Sequence, residues 1–188
     1  MTECCIPADH PPAAVEISRN KLLTRERLRD SDLLVPWFFP TSTSADARAL
    51  AGMVEFPCVI TPLVATGGRG VTRVDDGASF VRTFEEQREL LASPEFATID
   101  EEDRTTLLVE GFIDGWEFGV DGLLLHGALN VEKLVDAEDP QSLVPDPLMR
   151  DILDAVSRAV AAIGLHHGQV HARCRVSDRG VYVMSVTP

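Results

Sequence analysis

No run of this 188-residue chain approaches the roughly 18 consecutive apolar residues that a membrane-spanning helix requires. Its opening residues, MTECCIPADH, lack both the basic stretch and the apolar centre of a secretory signal. Cysteine is scarce: Cys4, Cys5, Cys58 and Cys174 show none of the paired C-x-x-C spacing of zinc sites. Reduced thiols are the reading, with a cysteine nucleophile as its alternative. Positive charge is scarce too. Seventeen basic residues against 30 acidic ones give a formal charge of −13, which repels phosphate backbones and anionic lipid surfaces. These absences argue against nucleic acid and membranes as partners and make the cytoplasm the expected location.

What is present is 45% apolar residues, enough for one large core or two small ones. Residues 1–18 are Pro-rich without a clear period and read as a tail or arm. The leucines of NKLLTRERL predict a short helix, and LLVPWFFP an extended apolar exit from it. ADARALAGMVE predicts a second helix and FPCVITPL an apolar strand. VATGGRGVTRV then reads as a glycine-rich loop with a strand behind it, and DDGASFVRTFEEQRELLAS as a helix with acid at its start. The acidic run from Asp100 to Asp103 reads as a solvated loop. TLLVEGFIDG is a strand, and WEFGVDGLLLHGALNVEKLVD alternates as a hairpin about its His-Gly pair. From Leu148 to Ile163 apolar residues recur at helical spacing until Gly164 ends the pattern. Strands and helices alternate irregularly, which favours an α+β fold in two lobes.

The last stretch, GLHHGQVHARCRVSDRGVYVMSVTP, predicts a hairpin of Gln169–Val176 and Val181–Val186. Side chains alternate faces along a strand, so His171, Arg173 and Arg175 share one face. On the returning strand Ser185 and Thr187 share a face, and no carboxylate stands opposite the basic residues in this hairpin.

Four stretches in this order, NKLLTRERL, FPCVITPLVATGGRGV, LVEGFIDGWEFGVDG and this terminal hairpin, resemble the ATP-grasp superfamily over about residues 19–188. The resemblance implies two α+β lobes, 19–108 and 109–188, gripping a ligand in the cleft between them. In that family the typical reaction phosphorylates a carboxylate with Mg-ATP before an amine displaces the phosphate. Carried over, Lys21 stands at the first phosphate-binding lysine, and Gly67, Gly68, Arg69 and Gly70 at the phosphate-covering loop. Glu110 and Ile113 match the adenine side of the hinge, and Glu117 the acid that accepts from ribose hydroxyls.

The phosphate and metal half departs from the pattern. Thr61 replaces the usual lysine of the FPVVVKP-like strand, and Arg173, Ser185 and Thr187 stand where the family places glutamate, glutamate and asparagine. A guanidinium repels Mg²⁺, and two like charges about 4 Å apart cost roughly 4 kcal/mol at an effective dielectric of about 20. No metal and no cofactor are therefore expected. The family's N-terminal α/β domain has no counterpart before Lys21, and the C-terminal lobe stops short of the family's substrate-binding arginine and glycines. The apolar LLVPWFFP and these trimmed ends favour a heteromer with a second small protein, or a homo-oligomer.

The resulting expectation is an ATP-independent lyase or cyclase, working in a biosynthetic pathway and expelling an anionic leaving group. Arg173, Glu117, His171 and Asp121 are its candidate catalytic residues. Lys21, Arg69, Arg175 and Ser185 would bind an anionic substrate, and Glu110, Ile113, Gly67, Gly68 and Gly70 would serve a nucleotide only if one binds. A non-catalytic binding or regulatory subunit and an ATP-dependent carboxylate–amine ligase are the alternatives.

Overall fold

A computed structural model describes residues 10–63 and 71–188. In chain order its elements are α1 (Pro12–Arg19), α2 (Lys21–Asp30), β1 (Phe38–Ser42), α3 (Ala47–Ala51), β2 (Cys58–Pro62), β3 (Thr72–Val74) and α4 (Gly77–Ala92). A 3₁₀ turn (Pro94–Phe96), α5 (Glu101–Arg104), β4 (Thr106–Gly111), β5 (Trp116–Leu125), β6 (Ala128–Asp136), α6 (Asp146–Ile163), β7 (Gly168–Ser177) and β8 (Gly180–Thr187) follow. The strands form two antiparallel sheets, β1-β4-β2-β3 and β6-β5-β7-β8.

The chain divides into two compact units. One combines the segment ending at Arg19 with Leu23–Val35 and Asp114–Pro188, and the other Asn20–Leu22 with Pro36–Ile113. Most of α2 thus belongs with the C-terminal half, although sequence order suggests the N-terminal lobe. The reason is packing: Leu28 is fully buried in the core of the C-terminal sheet. The Pro-rich arm is also more ordered than its composition suggests. Its last part is helix α1, whose Ala14 joins the same core and whose Ser18 hydroxyl donates to Val15 O at 2.8 Å. The acidic run is likewise a single helical turn, α5, rather than an irregular loop.

In the Pro36–Ile113 unit, α3 and α4 cover one face of the sheet. Cys58, Ile60, Val74, Leu107 and Val109 pack there against Phe80, Phe84 and Leu91. Asp76 caps α4 by accepting the Ser79 N–H at 2.7 Å, and Ser79 Oγ reciprocates with the Asp76 N–H at 3.2 Å, a capping box. Burial pushes the Cys58 thiol up to about 11, with the Asp75 carboxylate adding to the effect.

In the other unit, α6 lays Ile152, Val156, Val160 and Ile163 on one face of the β6-β5-β7-β8 sheet. Phe118, Val120 and Leu124 of β5 and Val170, Ala172 and Cys174 of β7 point to that face. The helix ends at Gly164, whose φ of +88° is left-handed and lets its N–H cap the last turn on Val160 and Ala161. The turn between β5 and β6 needs positive φ at both His126 (+52°) and Gly127 (+81°), as in a tight hairpin. Cys174 is buried, and desolvation pushes its thiol up to about 12. Both described thiols are inert packing groups, which removes them as nucleophiles. No helix among the described residues is long and apolar enough to cross a membrane.

Candidate functional site

Strand alternation that sends Val170, Ala172 and Cys174 into the core turns His171, Arg173 and Arg175 to the opposite face of the same sheet. Antiparallel register then decides what they meet. Asp121 of β5 pairs with His171 on one side and with Lys133 of β6 on the other, while Thr187 of β8 pairs with His171. The result is one polar row across four strands: Thr187, His171, Asp121, Lys133. The next row holds Ser185, Arg173, Gly119 and Val135. Gly119 leaves a notch in it, because a Cβ there would come within 3.5 Å of Val135 and 3.7 Å of His171. The third row pairs Arg175 with Glu117 and Tyr182.

The basic face therefore does have carboxylates beside it. They come from β5 rather than from the hairpin itself. His171 Nδ1 lies 2.6 Å from Asp121 Oδ1, a close imidazole–carboxylate pair. Glu117 spans both arginines, with Oε1 3.5 Å from Arg173 Nε and Oε2 accepting from the Arg175 guanidinium at 3.2 Å. One carboxylate between two guanidinium groups leaves the trio a net positive unit. Glu117 and Arg175 are three-quarters covered, whereas Arg173 is more than half exposed. An open cavity of about 540 Å³ lies on this face, lined by Asp121, Glu132, Lys133, Gln169, His171 and Thr187 among others.

A bulge shapes the Arg173 row. Arg173 pairs with Ser185 but Cys174 pairs with Val183, so Met184 is the extra residue. A bulge interrupts the carbonyl ladder, and the buried Arg25 of α2 fills that role: its guanidinium donates to Met184 O at 2.9 Å and reaches Val183 O at 3.5 Å. Sequence reading missed Arg25 because nothing local distinguishes it from the exposed Arg27 and Arg29. It also missed Lys133 and Gln169, whose only signal was strand alternation.

The remaining predicted residues lie elsewhere. Glu110 and Thr61 occupy the sheet face of the Pro36–Ile113 unit opposite its helices, and both are buried. Thr61 hydroxyl donates to Pro62 O at 3.3 Å, and Lys21 Nζ donates to the same carbonyl at 2.9 Å. Ile113 closes that unit. Gly67, Gly68, Arg69 and Gly70 lie outside the described residues, as do Cys4 and Cys5.

The side chains at the family's metal positions do not fit Mg²⁺. Arg173 offers a cation, Ser185 and Thr187 only neutral hydroxyls, and the neighbouring carboxylates of Glu117 and Asp121 are engaged by Arg173, Arg175 and His171. Among the described residues no group of three His, Cys, Asp or Glu side chains is arranged to hold a metal ion.

Comparison with known proteins agrees with this architecture. The sequence profile described as the ATP-grasp domain matches residues 54–188. The large chain of carbamoyl phosphate synthase from Mycobacterium sp. (strain JLS) is 26% identical over 183 residues, covering 94% of this chain but 16% of that protein. The crystal structure of an L-amino acid ligase from Bacillus licheniformis superposes with a TM-score of 0.79 at 26% identity, over 94% of this chain and 44% of that one. D-alanine–D-alanine ligase from Bacillus anthracis, solved with ATP, gives 0.70 at 17% identity, over 96% of this chain and 56% of that one. The chain thus spans under two thirds of each of these relatives.

Proposed function

For a chain that belongs to the ATP-grasp domain family, we propose a small-molecule enzyme that works without Mg-ATP phosphoryl transfer and expels an anionic leaving group, a lyase or cyclase. The observation that carries this reading is the polar sheet face. An imidazole–carboxylate pair, His171 and Asp121, stands one row from the half-exposed Arg173 guanidinium, at a position where the family pattern calls for a metal-binding carboxylate. Residues i and i+2 on one strand face are about 7 Å apart, the span of a small substrate.

In this reaction His171 accepts a C–H proton from the substrate. The C–H pair forms a new π bond, or closes a ring, as the bond to the leaving group breaks. That group departs with its electron pair and is held by Arg173, with Lys133 at the cavity wall. Asp121 holds the imidazole in the tautomer whose other nitrogen accepts, and stabilises the imidazolium that forms. A second protein chain completing the site is part of the same proposal.

A non-catalytic, anion-binding or regulatory subunit is the second reading. It is favoured by Glu117, which already engages both arginines and lowers the positive field a substrate would meet. Titration calorimetry with ATP, with and without magnesium, and with sulfate and phosphate separates the readings. The proposed enzyme binds the anions independently of magnesium and shows no magnesium-dependent ATP binding. Micromolar ATP affinity that requires magnesium overturns it in favour of a ligase.

A further inference from the structure

Four of the five histidines stand together at one end of the β6-β5-β7-β8 sheet, away from the row that holds His171. His126 lies in the β5–β6 turn, His166 and His167 lie between α6 and β7, and His10 lies just ahead of α1. The rings of His126 and His167 meet edge to face with centroids 4.7 Å apart, and those of His166 and His167 are 6.3 Å apart. We propose that these four residues form a proton-operated latch. While neutral, they hold the segment leading into α1 and the β5–β6 turn against the start of β7, and they release both when protonated.

Two ring nitrogens, Nδ1 of His10 and Nδ1 of His167, stand where a second proton has no acceptor. His10 Nε2 donates to Gln169 O at 3.1 Å, a bond that either charge state can make, while its Nδ1 is buried with no partner. A proton added there would be a buried donor with no acceptor. His167 Nδ1 accepts the backbone N–H of His126 at 3.4 Å. Protonation turns that acceptor into a donor facing another donor. The seating is close because two glycines allow it. A Cβ at Gly168, where φ is +112°, would lie 3.1 Å from His10 Nε2, and one at Gly127 would lie 3.4 Å from His166 Nδ1.

The field at His167 has one sign. After desolvation, the groups acting on it are His126, His166 and His10 in that order, and together they hold its imidazole below the ordinary 6.5. The packed elements contribute these histidines: His10 from the segment before α1, His126 from the turn, and His166 beside the end of α6, whose last turn carries no basic residue. A base with a lowered folded pKa binds fewer protons folded than unfolded. The latch is therefore fully closed above the unfolded value and opens as pH falls from there through the folded one.

Hydrogen–deuterium exchange of the full chain at about pH 7.5 and about pH 5, corrected for intrinsic exchange, tests the latch. Protection at residues 126–127 and at the start of α1 is expected to drop at least about tenfold on acidification, in step with titration of the His167 ring followed by NMR. The double variant His10→Gln/His167→Asn keeps a donor at the Nε2 position and an acceptor at the Nδ1 position without titrating, and is expected to stay protected at both pH values. Unchanged wild-type protection at about pH 5, or a pH response in the double variant equal to the wild type, overturns the latch. Should the double variant fail to fold, His167 titration without loss of protection overturns it just as well.

Discussion

At the scale of single residues, the site depends on which charges meet. Arg173 is the most exposed member of the trio around Glu117, and its replacement tests the proposed anion contact directly. Arg173→Ala is expected to weaken sulfate or phosphate binding roughly tenfold, the scale of one lost charge-assisted hydrogen bond, with the thermal unfolding midpoint little changed because the side chain is on the surface. Glu117→Gln removes the carboxylate between two guanidinium groups, so the same calorimetric titration should show tighter anion binding, the opposite sign. Cysteine chemistry gives an independent check. With thiols pushed up to about 11 for Cys58 and about 12 for Cys174, both are protonated and shielded at neutral pH. A Cys4→Ser/Cys5→Ser protein should show no reaction with Ellman's reagent while native and two reactive thiols once denatured.

At the scale of elements, α4 and α2 show how local chemistry and long-range packing divide the work. The α4 capping box is local. The Asp76 carboxyl is held below its ordinary 3.8, first by the Ser79 backbone N–H and then by the Ser79 hydroxyl. A depressed carboxyl contributes stability that is present above about pH 3.8 and lost as pH falls through the folded value. Asp76→Ala should lower the unfolding temperature at neutral pH, and the gap between variant and wild type should close on acidification, as calorimetric melts would show. Helix α2 is held mainly by tertiary contacts: fully buried Leu28 and nearly fully buried Arg25 dock it in the Asp114–Pro188 unit. Leu28→Ala should cost about 2–5 kcal/mol in urea unfolding. A loss below about 1 kcal/mol would mean that α2 is not part of that core.

At the scale of the molecule, a chain of formal charge −13 folds into two units and gathers basic side chains on one sheet face of the second. Much of this was legible in the sequence. Period-two alternation marked both hairpins of the second sheet, helical spacing and Gly164 marked α6, and the order of four stretches pointed to the ATP-grasp fold that the comparisons support. These features are written locally, because the steric preferences of strand, turn and helix act over a few residues. Alternation also fixed which of His171, Arg173 and Arg175 share a face. It could not say that Asp121 lies opposite His171, or Glu117 opposite Arg175, since those partners are 50 and 58 positions away and register is set by the whole ladder. The same holds for Arg25, buried against a bulge 159 residues on, and for four histidines drawn from three separate segments. The sequence by itself determined the elements and the face each side chain takes. Only the tertiary structure decided which charges neutralise one another, because pairing between distant strands is a property of the closed sheet and of no single segment.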